Sequence, residues 1–414
     1  MKSYSGFEIF REALRRQKGW PRAWREAKPK KHYDVVIIGA GGHGLATAYY
    51  LATSHGMKNI AVLEKGWLGG GNSGRNTQVC RSNYFYPESA VFYEHSLRLY
   101  ENLGHDLNFN IMLSQRGNLE LSHSVEELEM NRRWATAMKL NGIDSAMLDR
   151  EDIRKKVPIL DLDCRFPVMG GFIQERAGIA RHDAVVWAFA RAASAAGVDI
   201  IQDCEVLDFE ADESRIRAVK TNRGVVGSEC FALCVAGHSG QLAEKAGLCL
   251  PIESIALQAM VTEPLKPVLH TVLGSLVIHA YISQSDRGEI VIGGGADPFN
   301  SYAQRGALST LKDNASAVTE LIPSFRRLRV MRQWAGICDM SPDSSPIVGK
   351  TPVENLYIST GWGTGGFKAI PAGGDTLAYT IASGKTHELL KPFSLERFAD
   401  GNLIDEAAAA GVAH

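Results

Sequence analysis

The sequence predicts an α/β fold in two domains: a discontinuous, Rossmann-like nucleotide-binding domain and a second domain built on a mixed, largely antiparallel sheet. Three observations predict it. An apolar run at 33–38 meets the turn Gly39-Ala40-Gly41-Gly42-His43-Gly44, and a second apolar run at 59–63 ends at Glu64. From about Leu250 to Gly336 the pattern changes to alternating strand segments with no long helix between them. The chain then returns to a strand at 355–360, the loop Gly361-Trp362-Gly363-Thr364-Gly365-Gly366 and a helix that takes up Phe367 and Lys368.

Each part of the first motif has a physical task. Gly39 permits a sharp turn out of the strand. Gly41 lets the backbone approach a pyrophosphate, whose charge sits on the free N–H groups at the helix start, where Gly42 lies. Gly44 lets helix and strand pack closely. Glu64, 25 residues after Gly39, is placed to accept hydrogen bonds from a ribose, near the ~20-residue spacing such sites use. A glycine pattern alone is weak evidence. With the strand, the helix and the acid, the reading is a bound dinucleotide.

Beyond the acid lies a second glycine loop, Lys65-Gly66-Trp67-Leu68-Gly69-Gly70-Gly71-Asn72, which has no task in an ordinary nicotinamide dehydrogenase. Lys65, Gly71 and Asn72 are candidates to hold the far part of a larger ligand. The segment 203–209, with Val206 beside the cofactor, reads as a strand. It forms a hairpin with 217–224 through a turn at Glu213-Ser214. The run 231–240 reads as another buried parallel strand. Tyr281-Ile282-Ser283-Gln284 and 288–293, joined at Asp286-Arg287, give the antiparallel domain its pattern. The last glycine loop, through Gly363 and Gly366, suits a polar cofactor group at a helix N-terminus. A ligand held at both chain ends fits FAD better than NAD, with the adenosine half at the first turn and the isoalloxazine near Lys368.

The expected division is an arm at 1–30, an FAD-binding domain from 31–107, 172–243 and 340–400, a substrate domain from 108–171 and 244–339, and a tail at 401–414. Phe7, Phe10, Leu14 and Trp20 fall on one face of a short helix, an arm expected to dock on a partner more than on its own domain. The 414 residues hold 45 basic and 46 acidic side chains, a balance that gives no footing for nucleic acid or an anionic membrane surface. Seven cysteines without C-x-x-C pairs or metal-ligand spacing read as reduced thiols, with no metal site. No apolar run approaches the ~20 residues that cross a bilayer, and 1–31 lack the apolar stretch of a signal peptide. A cytoplasmic chain is expected.

Taken together, the glycine turn with Glu64, the loop 64–72, Arg81-Ser82-Asn83-Tyr84, Ile179-Ala180-Arg181-His182-Asp183, Tyr281-Ile282-Ser283-Gln284 and 361–368 resemble the beta subunits of heterotetrameric sarcosine oxidases, within the D-amino-acid-oxidase-like flavoproteins. The resemblance runs nearly end to end, including 404–414. It implies oxidation of sarcosine by hydride transfer to FAD, giving glycine and a one-carbon unit, with electrons passing to FMN and then oxygen. It also implies alpha, gamma and delta partner subunits. By the same resemblance His182 carries FMN covalently; read from the residues alone, a histidine at a helix start is a cap or surface group.

Sarcosine carries a carboxylate, so its pocket needs fixed positive charge. Lys368 and Arg81 match basic residues of the family, and an arginine pairs with a carboxylate in bidentate fashion. The plain alternative for Arg81 is a solvated or ion-paired side chain. Tyr281 is a candidate pocket cap, or a cross-strand packing residue. His279 and His238 lie nearby, with a structural role as the default. Some relatives attach FAD to a cysteine upstream of a Pro-Asp pair. Counting back from Pro342-Asp343 places that position nearer Gly336 than Cys338, so noncovalent FAD is expected. The competing readings are a dehydrogenase subunit for another N-methyl amino acid, such as N-methylglutamate, and a non-catalytic flavin-binding scaffold subunit.

Overall fold

The computed structural model describes residues 5–16, 18, 22–212 and 214–404. Five parallel strands form the centre of the first sheet, in the order Asp199–Ile201, Ile60–Leu63, His32–Ile38, Gly224–Leu233 and Leu356–Thr360. Their apolar runs are buried on both faces, as strands of a covered parallel sheet must be. Val35, Ile37 and Val62 pack under helices Gly42–Thr53, His182–Ala195 and Ile370–Ser383. Val36, Ile38 and Leu63 point the other way, toward Phe209, Ile216 and Val219.

Those last residues belong to the expected hairpin. Val206–Ala211 and Ile216–Thr221 pair antiparallel, and Asp212 N–H donates to Arg215 C=O at 2.8 Å across the turn. Glu213, half of the expected turn pair, lies outside the described residues. The segment from Gly224 into the run at 231 proves to be one strand, Gly224–Leu233, whose start closes a meander and whose end enters the parallel core.

The second sheet runs Val330–Met340, Glu253–Pro264, Glu289–Asn300, Ala280–Gln284, Val272–Ser275, Asn118–Ser122, Gly170–Gln174, Ala146–Leu148. Only the pair Val272–Ser275 with Asn118–Ser122 is parallel. Strand Gly170–Gln174 straddles the boundary expected between 171 and 172, and Val330–Met340 reaches across that expected between 339 and 340. One expectation is corrected: helix Leu308–Leu321 interrupts a stretch read as strands alone. It packs Val318 and Leu321 on the sheet, and Asn314 donates to the Gly294 carbonyl at 2.8 Å. Ala307 before it offers no side-chain cap, so the usual start signal is missing.

The two sheets meet at the second glycine loop. Asn72 Oδ1 accepts from Ile337 N–H at 2.8 Å and its amide donates to Ile337 C=O. Trp334 Nε1 donates to Arg75 C=O at 2.6 Å. The arm divides into two parts. Arg25 and Lys30 hold Asp199 at 3.0 and 2.8 Å and Trp24 packs on the core, so this part docks on its own domain. Helix Gly6–Leu14 leaves Phe7, Ile9, Phe10 and Leu14 exposed; Trp20 lies outside the described residues. At the other end Arg397 and Asp343 form a fully buried ion pair at 2.8 Å, to which Ile404 N–H adds a bond at 3.1 Å. The tail residues after Ile404 lie outside the described residues. No helix among the described residues is long and apolar enough to cross a membrane.

Candidate active site

The glycine turn is built as close packing demands. Gly39 sits at φ +106°, where a Cβ would collide with the Cys234 carbonyl, and a Cβ on Gly44 would collide with the carbonyl of Gly39. Helix Gly42–Thr53 has no side-chain cap of its own. Its first N–H, on Gly42, donates instead to Ser73 Oγ at 2.9 Å, so the second glycine loop lies across the helix start. Glu64 accepts from Ala40 N–H and Gly66 N–H, each at 2.9 Å. Two of its acceptor positions are thereby used, and the rest stay available to ribose hydroxyls. This set fits a dinucleotide: backbone donors converge at a helix start, no Cβ fills the cradle, and a carboxylate stands one strand away.

A single cavity of about 900 Å³ extends from this turn into the second sheet. Gly39, Gly41, Gly42, Glu64, Lys65 and Val206 line one end; Gly71, Asn72, Gly363 and Gly366 line its middle; Arg81, Tyr281 and Lys368 line the other. Gly44 and His182 are the candidates that do not face it. Asn72 spends its amide on Ile337, so it clamps the two sheets as well as lining the wall. Lys65 Nζ lies 3.1 Å from His238 Nε2, and the His238 ring stacks on Tyr302 at 5.2 Å. Burial, with Lys65 adding to it, lowers the His238 pKa.

At the far end, Lys368 stands in the short helix Phe367–Ala369. Helix Pro87–Asp106 fixes this backbone: Ser96 Oγ donates to Lys368 C=O and Tyr100 to Phe367 C=O, both at 2.7 Å. The ammonium is buried and donates to Thr364 C=O at 3.2 Å. Burial above all, then the like charge of Arg81, holds its pKa well below the usual lysine value, while Cys80 and Glu120 oppose the shift. The Arg81 guanidinium lies 5.1 Å from the Tyr84 ring centroid and donates to Asn83 Oδ1 at 2.5 Å. Tyr281 packs across the sheet and also lines the cavity: its ring covers Gly293 on the neighbouring strand, where a Cβ would collide with it. Burial pushes its phenol up to about 12, so it remains an O–H donor at neutral pH.

Several cavity residues escaped the sequence reading. His43, inside the glycine turn, stacks on Trp362 at 4.3 Å, and its Nε2 lies 2.8 Å from Gly366 C=O. Burial pushes it down to about 4, so the ring is neutral and donates from Nε2, tying the first glycine turn to the last glycine loop. Asp339 Oδ2 accepts from Thr360 Oγ1 at 3.0 Å and Gly361 N–H at 2.6 Å, and burial raises it to about 6. It holds the start of the last loop. His43 was legible from its place in the motif; Asp339 was not, because its partners lie more than twenty residues further along the chain.

His182 is the first residue of helix His182–Ala195. Its Nδ1 is buried without a hydrogen-bond partner, and burial lowers its pKa. Two residues before it, Ala180 N–H donates to Gln78 C=O at 2.9 Å, and Gln78 lines the cavity wall. Cys338 also lines the cavity, as a buried thiol that burial pushes up to about 12.

A Rossmann-like turn at one end of a long cavity and two basic side chains with a phenol at the other define a nucleotide-binding protein with a basic pocket. Comparison with known proteins agrees. Residues 34–380 match the FAD dependent oxidoreductase family. The chain is 49% identical to sarcosine oxidase subunit beta of Rhodobacter capsulatus, over 100% of both chains. It is 52% identical to that of Arthrobacter sp, over 94% of this chain and 97% of the relative. The crystal structure of L-proline dehydrogenase from P. horikoshii matches with a TM-score of 0.85 at 26% identity, over 91% of this chain and 100% of that one. Glycine oxidase from Geobacillus kaustophilus shares the fold, with a TM-score of 0.81 at 22% identity over 88% and 99% of the two chains. The chain belongs to the FAD dependent oxidoreductase family and, within it, to the sarcosine oxidase beta subunits; it is a flavin-dependent oxidoreductase acting on amines.

Proposed function

We propose that the chain is the substrate-oxidising subunit of a cytoplasmic, heterotetrameric sarcosine oxidase with alpha, gamma and delta partners. The observation that carries this reading is the pair Arg81 and Lys368: both line one cavity, and among the described residues neither makes an ion pair with a carboxylate. A substrate carboxylate would supply the missing countercharge, held by the Arg81 fork and the Lys368 ammonium. Tyr281 donates from the cavity wall. FAD, held noncovalently along the cavity, would supply the acceptor for a hydride from the N-methyl carbon. Water then splits the imine into glycine and formaldehyde, or the one-carbon unit passes to tetrahydrofolate as methylene-tetrahydrofolate, and oxygen takes up the two electrons and two protons as hydrogen peroxide. The raised pKa of Cys338 supports noncovalent FAD, since a thiol is a poor nucleophile.

His182 is the proposed FMN attachment point. Its lowered pKa keeps the ring neutral and its unpartnered Nδ1 is the free nucleophilic atom. The bond from Ala180, two residues before it, to Gln78 on the cavity wall supports a short electron path. The exposed face of Gly6–Leu14 supports a partner contact. Within the chain, 31–107, 172–243 and 340–400 would serve the cofactor, with 108–171 and 244–339 serving the substrate.

Anaerobic titration of the purified complex tests the activity: sarcosine should bleach the flavin absorbance, and bleaching by N-methylglutamate alone would move the assignment to the related dehydrogenases. Denaturing chromatography with mass spectrometry tests the cofactors. One flavin should stay on the peptide containing His182 while FAD comes free; release of all flavin as FAD would refute the second site.

A further inference from the structure

An acid on the cavity wall has no task in the chemistry above. Glu120 lies on strand Asn118–Ser122, where alternation places Asn118 and Glu120 on the same face, and both line the cavity. Directly across the parallel pair stands Gly274, and a Cβ there would collide with the Glu120 carboxyl group. Oε1 accepts from Asn118 Nδ2 at 2.8 Å. Among the described residues this is the carboxylate's one hydrogen bond, and no cation lies within ion-pair distance of it. Yet Arg81 and Lys368 line the same cavity, and Lys368 feels the charge of Glu120. A carboxylate in a cationic cavity is ordinarily drawn into contact; here the strand, Gly274 and Asn118 hold it apart. Opposite charges kept separate across one cavity complement a zwitterion. The other acid at this end, Glu127, is engaged by His123 N–H at 2.5 Å.

We propose that Glu120 recognises the substrate's secondary ammonium and takes its proton. The N–H bond breaks, an O–H bond forms on Oε2, and the electron pair stays on nitrogen as the amine that oxidation requires. The glutamic acid then returns the proton to water. This rests on the sarcosine reading: Arg81 and Lys368 hold one end of the zwitterion and Glu120 relieves the other of its proton.

The test uses the assembled holoenzyme and the variants Glu120→Gln and Glu120→Asp, each checked for flavin content. Flavin reduction by sarcosine should slow by about 10²-fold or more at pH 7 in Glu120→Gln, in the range of a lost proton acceptor. Its rate should climb tenfold per pH unit toward the pKa of the free amine, because only the neutral amine reacts, and Glu120→Asp should recover part of the loss. Binding of methoxyacetate, which has the carboxylate and no amine, should be unchanged or tighter in Glu120→Gln. A wild-type rate and pH profile in Glu120→Gln, or an equal loss of methoxyacetate binding, would overturn the proposal and leave the sarcosine reading standing. A wild-type enzyme that sarcosine does not reduce would overturn both.

Discussion

Lys368 is the sharpest point at which to perturb the site. Its ammonium is only 6% exposed, donates to one carbonyl and is depressed by burial and by Arg81. Lys368→Met keeps the length of the side chain and removes the charge. A charge-assisted hydrogen bond to a substrate carboxylate is worth about 1.5–3 kcal/mol, so the rate constant for flavin reduction divided by the substrate Kd should fall roughly 10- to 150-fold, with Arg81 preserving the remainder. Stability should move the other way, by about 1–3 kcal/mol, because an under-partnered buried cation is replaced by an apolar chain. The pH dependence has a definite sign. The folded pKa lies below the unfolded value of 10.5, so between them the unfolded chain binds more protons and wild-type stability rises with pH. The advantage of Lys368→Met should therefore be full below the folded pKa and vanish as pH approaches 10.5. Anaerobic stopped-flow reduction by sarcosine and thermal melts across pH read both effects. Unchanged reduction kinetics would refute the carboxylate role, and a destabilised variant would refute the energetic argument.

Three further outcomes are expected. Gly44→Ala forces a Cβ into the Gly39 carbonyl, so FAD content measured by absorbance should collapse along with the melting temperature. Asp339 has a folded pKa of about 6 against 3.8, so the stability it contributes is full below pH 3.8 and lost as pH rises through 6, a fall of about 3 kcal/mol that Asp339→Asn should flatten in denaturant titrations. Arg397→Met strands the buried Asp343 carboxylate and should lower stability by about 3–5 kcal/mol in urea unfolding, with sarcosine kinetics little changed.

Much of the fold was legible because covalent constraint writes itself in residue type. Gly39 at positive φ, Gly44 against a carbonyl and the doubly buried runs at 35–38 and 60–63 each demand the residues that occupy them. That the glycine loops, Arg81 and Lys368 line one cavity agrees with the sequence for a related reason: loops that hold a nucleotide are glycine-rich, and the proposed carboxylate substrate calls for basic residues. Helix Leu308–Leu321 was not, because its start has no capping side chain and its apolar spacing runs through a stretch of strands.

The sequence by itself determined the nucleotide turn, the three glycine loops and the family to which their spacing belongs, since each depends on residues adjacent in the chain. Only the tertiary structure decided which charges meet. It pairs Arg397 with Asp343, leaves Arg81 and Lys368 facing a cavity, commits Asn72 to Ile337 and ties His43 to Gly366. Partners separated by 54 to 323 positions are brought together by sheet register and helix packing, and burial then fixes how strongly each group holds its proton.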